Sequence, residues 1–106
     1  MFDDFVDAYE NYRDKPDEPD HVVISRKLAE ENPDAILFTG LEEALIGIGR
    51  QQFAVLAMYD WDKCIHIFMR EGMTYDEAVE YMEFNVEGAW LGEYTPIIIN
   101  RHELMP

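Results

Sequence analysis

The chain has 106 residues, one domain's worth, and 48% hydrophobic with 13% aromatic content can build a core, which excludes a disordered acidic tail. Its 23 acids against eight lysines and arginines give a formal net charge of −15. That balance argues against a surface for DNA, RNA or anionic lipid, and for a basic partner or a need for solubility. The apolar runs, such as Phe53 to Tyr59, are too short to span a bilayer, and Met1 is followed by Phe2, Asp3 and Asp4 rather than by a basic-then-apolar leader. Cys64 is the single cysteine and allows no intrachain disulfide, so the expected compartment is the cytoplasm.

In chain order, residues 1–14 read as an acidic helix. Phe2, Val6 and Tyr9 recur at helical spacing, and Asp3, Asp7, Glu10 and Asp14 follow one residue behind. Residues 15–20, with two prolines among charges, read as a linker ahead of an α+β body over 21–100 and a tail over 101–106. His21 to Asn32 reads two ways: Val22, Val23 and Ile24 favour a strand, whereas Arg26 to Glu31 favours a short helix. Asn32-Pro33 breaks whatever precedes it. Thr39 and Glu42 have capping-box spacing, which predicts a helix with Leu41, Ala44, Leu45 and Ile48 on one face, weakened by Gly47 and Gly49. Phe53 to Tyr59 is the clearest strand, and Asp60 can cap a following helix whose core residues are Cys64, Ile65, Ile67 and Phe68.

After Gly72, Thr74 and Glu77 form a second capping box at the head of another helix. Tyr75, Val79, Met82, Val86 and Ala89 make its apolar stripe, and Asp76, Glu80, Glu83 and Glu87 follow one residue behind. Gly88 and Gly92 are places for it to loosen or stop. Tyr94 to Asn100 closes the domain as a strand, with Pro96 pointing to an edge or a strand start. The expected fold is α+β, a single small domain with four or so helices on a sheet of two to three strands.

The two acidic segments, 1–20 and 71–93, carry net charges of −6 and −7, nearly all of the excess. Like charges at i, i+4 destabilise a helix by about 0.2–0.5 kcal/mol per pair, and Glu87 lies toward a C-terminus, where negative charge is disfavoured. Local helix stability therefore leaves Glu83 and Glu87 unexplained, although a solvated acidic face is also common. Tyr81 and Phe84 lie off the apolar stripe and are candidates for a second contact surface.

Sites for chemistry are few. Ser25 is the single serine and lies in no nucleophile motif; Cys64 and His66 are two apart, which on a helix points them in different directions. Gly47-Ile-Gly49 lacks the third glycine of a dinucleotide loop. Asp62 and His66 at i, i+4, with Asp60 nearby, are two or three ligands where zinc wants three or four, so a helix cap and a surface histidine account for them better. The expectation is a protein with no catalytic residues, no metal site and no cofactor.

Three stretches bear a resemblance: Gly40-Leu-Glu-Glu-Ala-Leu-Ile-Gly, then Ala57-Met-Tyr-Asp-Trp-Asp-Lys-Cys-Ile, then Met73-Thr-Tyr-Asp-Glu-Ala-Val-Glu-Tyr-Met-Glu-Phe-Asn-Val-Glu-Gly-Ala-Trp-Leu-Gly-Glu-Tyr-Thr-Pro-Ile. Together they resemble a family of small acidic proteins of unknown activity encoded by tailed phages and prophages, over about residues 40–98. The resemblance implies a protein acting inside a bacterial host, and brings no catalytic residues with it. In that setting carboxylate rows can stand where phosphates would lie. Acids four apart on a helix rise by about 6 Å, near every second phosphate at about 3.4 Å per strand step, and Asp76 to Glu87 covers about 16 Å. The expected function is a non-enzymatic inhibitor. It would bind a basic, nucleic-acid-binding host protein rather than nucleic acid or membrane, through Asp3, Asp7, Glu10, Asp14, Asp76, Glu80, Glu83, Glu87, Tyr81 and Phe84. Two alternatives stand beside it: a structural or adaptor module that self-associates as a homo-oligomer, and a small metal-dependent enzyme using Asp60, Asp62 and His66.

Overall fold

The structure is a computed structural model that describes residues 17–101. Helix α1 spans Asp20–Glu31, followed by a 3₁₀ turn at Glu42–Ala44. Strands β1 (Leu45–Gln51) and β2 (Ala54–Asp60) come next, then helices α2 (Trp61–Arg70) and α3 (Tyr75–Tyr81). A π turn over Met82–Glu87 continues α3, and β3 (Ile97–Ile99) is the last strand. The expected α+β class is what forms, with a three-stranded sheet. Four or so helices was slightly too many: the described residues hold three α-helices, and the acidic helix expected over 1–14 lies outside them.

The two readings of His21 to Asn32 resolve in favour of helix. One stripe of α1 carries the buried Leu28 and the partly buried Ile24 onto the core, so packing overrides the local strand propensity of Val22 to Ile24. Asn32 ends the helix and donates from Nδ2 to the Val55 carbonyl at 2.9 Å, tying that end to β2.

The helix expected after Thr39 does not form. Only Glu42–Ala44 turns, and Leu45 onward is strand. Its own backbone N–H and then the Gly40 N–H, 3.2 Å away, hold the Glu42 carboxyl below the ordinary carboxylate range. Ile46 and Ile48 suit a pleated strand, and the glycines that weaken a helix are used by the sheet. A Cβ on Gly49 would sit 2.9 Å from Met58 Sδ and 3.1 Å from Ile97 Cδ1, so those side chains lie across the strand where no side chain stands.

The sheet order is β1-β2-β3. β1 and β2 pair antiparallel from Leu45↔Tyr59 to Gln51↔Ala54, with a register shift between Leu45 and Gly47. The hairpin turns at Gln52-Phe53, so Phe53, expected to open the strand, instead projects from the tip fully exposed. β3 runs parallel to β2, with Met58↔Ile97 and Tyr59↔Ile98 paired, and α2 and α3 form the crossover that parallel pairing needs.

One sheet face carries Leu45, Ala57 and Tyr59, all buried, against Leu28, Cys64, Ile65, Phe68, Ala78, Met82 and Val86 from the helical layer. Tyr59 keeps its hydroxyl satisfied in this core by accepting the Phe38 N–H at 2.8 Å, while its ring lies 5.1 Å from that of Phe38. The alternating residues Leu56, Met58 and Ile97 fall on the other face with Gly47 and Gly49.

Candidate functional site

The helix from α3 into the π turn gathers most of the sequence-predicted surface. Its start is fixed as the sequence implies: Thr74 Oγ1 accepts the Glu77 N–H at 3.2 Å, and Glu77 Oε1 accepts the Thr74 N–H at 2.9 Å. Those bonds hold the Glu77 carboxyl below its ordinary range, so it is a fixed negative charge.

Beyond Tyr81 the helix widens. The Gly88 N–H bonds back to the Glu83 carbonyl five residues earlier, at 3.0 Å. The wider turn keeps Met82 and Val86 on the buried side together with Ala78. Of the expected stripe, Met82 and Val86 are buried and Val79 packs partly buried against the core, with Ala78 buried beside them, whereas Tyr75 is exposed.

Asp76, Glu80 and Glu83 are exposed, as a partner-facing row requires. Glu87 is exposed as well and has a distant partner in addition. Its Oε1 accepts a hydrogen bond from Trp61 Nε1 at 2.7 Å, and Trp61 itself is buried at the head of α2. That bond supplies the reason for an acid near the end of this helix that local helix energetics lacked. The row open to solvent is therefore Asp76, Glu80, Glu83 and Glu87, about 16 Å of rise in helical geometry, with one oxygen of Glu87 already engaged by Trp61.

Tyr81 and Phe84 are 41% and 73% exposed, consistent with a surface off the core stripe. Tyr81 is braced edge-on by Phe68, with ring centroids 4.9 Å apart at 63°. Phe84 stands over a groove of about 390 Å³ lined by Met73, Glu77, Glu80, Tyr81, Phe84 and Asn85. Asp3, Asp7, Glu10 and Asp14 lie outside the described residues, so the two acidic segments are not brought together by anything described.

The residues weighed as metal ligands have other roles or no shared focus. Asp60 is buried, caps α2 by accepting the Lys63 N–H at 2.9 Å, and pairs with Arg101, whose Nε and Nη2 both lie 2.8 Å from Oδ1. Arg101 thus serves the body of the fold, although the sequence placed it at the start of a tail. His66 is on the exposed side of α2, and among the described residues no group of three His, Cys, Asp or Glu side chains is placed to hold one metal. A groove of about 770 Å³ mixes His21, Lys63 and Arg101 with Asp20 and Glu43 and focuses no single kind of charge. Among the described residues no helix is long and apolar enough to cross a membrane.

Cys64 is fully buried, and burial, then the charges of Asp60 and Glu87, push its thiol up to about 12. It is expected to resist a thiol-reactive dye at pH 8 in the native protein and to react fully once urea unfolds the chain. Rapid native labelling, without loss of circular dichroism, is the contrary result. The sign of the linkage follows from the same shift. A neutral buried thiol adds stability below the ordinary thiol pKa, and that contribution is lost as pH rises toward about 12.

Comparison with family models, with curated proteins and with solved structures found no match for this chain.

Proposed function

We propose that this protein is a non-enzymatic inhibitory binding protein of phage type, presenting an acidic helix face to a basic, nucleic-acid-binding host protein and acting in part as a nucleic-acid mimic. The observation that carries the reading is the composition of one exposed surface. Asp76, Glu80 and Glu83 share α3 and its π turn with Tyr81 and Phe84, so carboxylates and large aromatic rings are offered together. Carboxylates alone would serve solubility. Exposed rings beside them gain nothing from solvent but suit the centre of an interface, where the few residues that carry most of the binding energy are enriched in aromatics such as Tyr. Charge steers the encounter, and the aromatics hold the complex.

The test is an affinity capture from a bacterial lysate at low salt and again at about 0.5 M, where the Debye length falls well below 10 Å. Wild type is compared with a variant carrying Asp76→Lys, Glu80→Lys and Glu83→Lys. The expected result is a nucleic-acid-binding protein retained by wild type at low salt, released at high salt, and not captured by the variant at all. The variant should melt cooperatively, because the three side chains it changes are exposed. Equal capture by both proteins, or salt-insensitive capture, would overturn the reading.

Self-association as a structural or adaptor module is the second reading, favoured by one further feature. Trp90, 77% exposed, and Leu91 are also open to solvent just beyond the π turn. Sedimentation showing a monomer mass unchanged by concentration would remove it.

A further inference from the structure

We propose that the groove bounded by Glu77, Glu80, Tyr81 and Phe84 receives an arginine side chain of the basic partner, an inference that rests on the acidic-face reading above and sharpens it. The argument is one of complementarity. The groove has two carboxylates, two aromatic rings, Met73 and Asn85 along its walls, and no lysine or arginine. A cation is the group it attracts, and a flat one with an alkyl stem fits it better than a compact ammonium.

Each wall has a part suited to guanidinium. Glu77 is held in place by its reciprocal bonds with Thr74, so its carboxylate is oriented before any partner arrives. Glu80 lies one residue from Tyr81 along the same helix and adds a second acceptor. Tyr81 cannot easily swing aside, because Phe68 braces its ring at 4.9 Å. Phe84 has nothing described that buries it and offers a ring face for stacking, with the Met73 side chain supplying apolar surface for the stem. A liquid water occupies about 30 Å³, so a groove of about 390 Å³ has room for a planar head and its methylenes. An acidic field alone predicts that arginine and lysine are equivalent; this groove predicts that they are not.

The experiment measures binding of two synthetic peptides, equal in length and charge, one built on arginine and one on lysine, to the full chain at low salt. Wild type is expected to bind the arginine peptide about two- to fivefold more tightly, the range for an exposed cation–π contact. Phe84→Ala is expected to abolish that preference and keep the salt-sensitive affinity for both peptides. As a check that does not depend on a variant's folding, the Tyr81 and Phe84 ring protons should shift when wild type is titrated with the arginine peptide and not with the lysine one. Equal affinities in wild type, or a preference that survives Phe84→Ala, overturn the arginine groove and leave the acidic face standing. Failure of wild type to bind either peptide at low salt removes the acidic-face reading itself.

Discussion

Asp60→Ala is expected to destabilise the fold by about 2–4 kcal/mol, measured as a shift in the urea midpoint at constant slope. The side chain is 2% exposed and does two things at once. It caps α2 through the Lys63 N–H, and losing such a cap costs about 1 kcal/mol. It also accepts charge-assisted bonds from Arg101, worth about 1.5–3 kcal/mol when well shielded. The second figure is discounted, because the Arg101 side chain is 57% exposed and water screens it. Asparagine at the same position keeps a cap acceptor and loses only the charge, so Asp60→Asn should fall between wild type and Asp60→Ala. Should alanine and asparagine cost the same, the cap contributes nothing and the account of how α2 starts is wrong. The substitution matters for the surface too. Trp61, the residue after Asp60, donates the bond that anchors Glu87.

Which parts of the molecule were legible in the sequence follows from how local their causes are. The Thr74–Glu77 box and the Asp60 cap involve partners three residues apart, and both form as read. Thr39 and Glu42 have the same spacing, yet no helix follows. Whether Leu45 to Gln51 becomes helix or strand is decided by pairing with Ala54 to Asp60, and spacing within Leu41 to Ile48 does not report it. Leu41, Ala44 and Leu45 are buried all the same, so the apolar positions were identified correctly under the wrong period. The exposure of Asp76, Glu80, Glu83, Tyr81 and Phe84 followed from their phase on a single helix. The bond from Trp61 to Glu87 did not, since the two are 26 residues apart. Arg101 and Asp60 are 41 apart, beyond any local pattern. The signal that came closest was electrostatic: Glu87 was out of place for its own helix, and the structure supplies the distant group that accounts for it.

Gly88→Ala is expected to destabilise the protein by about 1–3 kcal/mol and to release Glu87 from Trp61. Two effects oppose each other. The Gly88 backbone is right-handed helical (φ −80°, ψ −6°), so alanine faces no dihedral penalty and, by restricting the unfolded chain, gains about 0.4–1 kcal/mol. Against that, its Cβ would lie 2.9 Å from the Glu83 carbonyl oxygen and 3.3 Å from that of Phe84. Both neighbours are backbone, which cannot yield as a flexible side chain would, and Glu83 O is the acceptor that closes the π turn. The clash therefore wins, and relief comes by opening the wide turn. Opening it alters the phase of Glu83 to Glu87 against α3. The Trp61 indole N–H resonance should then move from its hydrogen-bonded position, together with a lowered melting temperature. An unchanged indole signal in a fully stable Gly88→Ala protein would mean that the turn is not held by the absence of a side chain at 88. Glu83, the last of the three acids reversed in the charge variant, shares this turn with Phe84. The same variant should therefore weaken partner capture less than triple charge reversal does, and weaken the preference for arginine peptides more than that for charge as such.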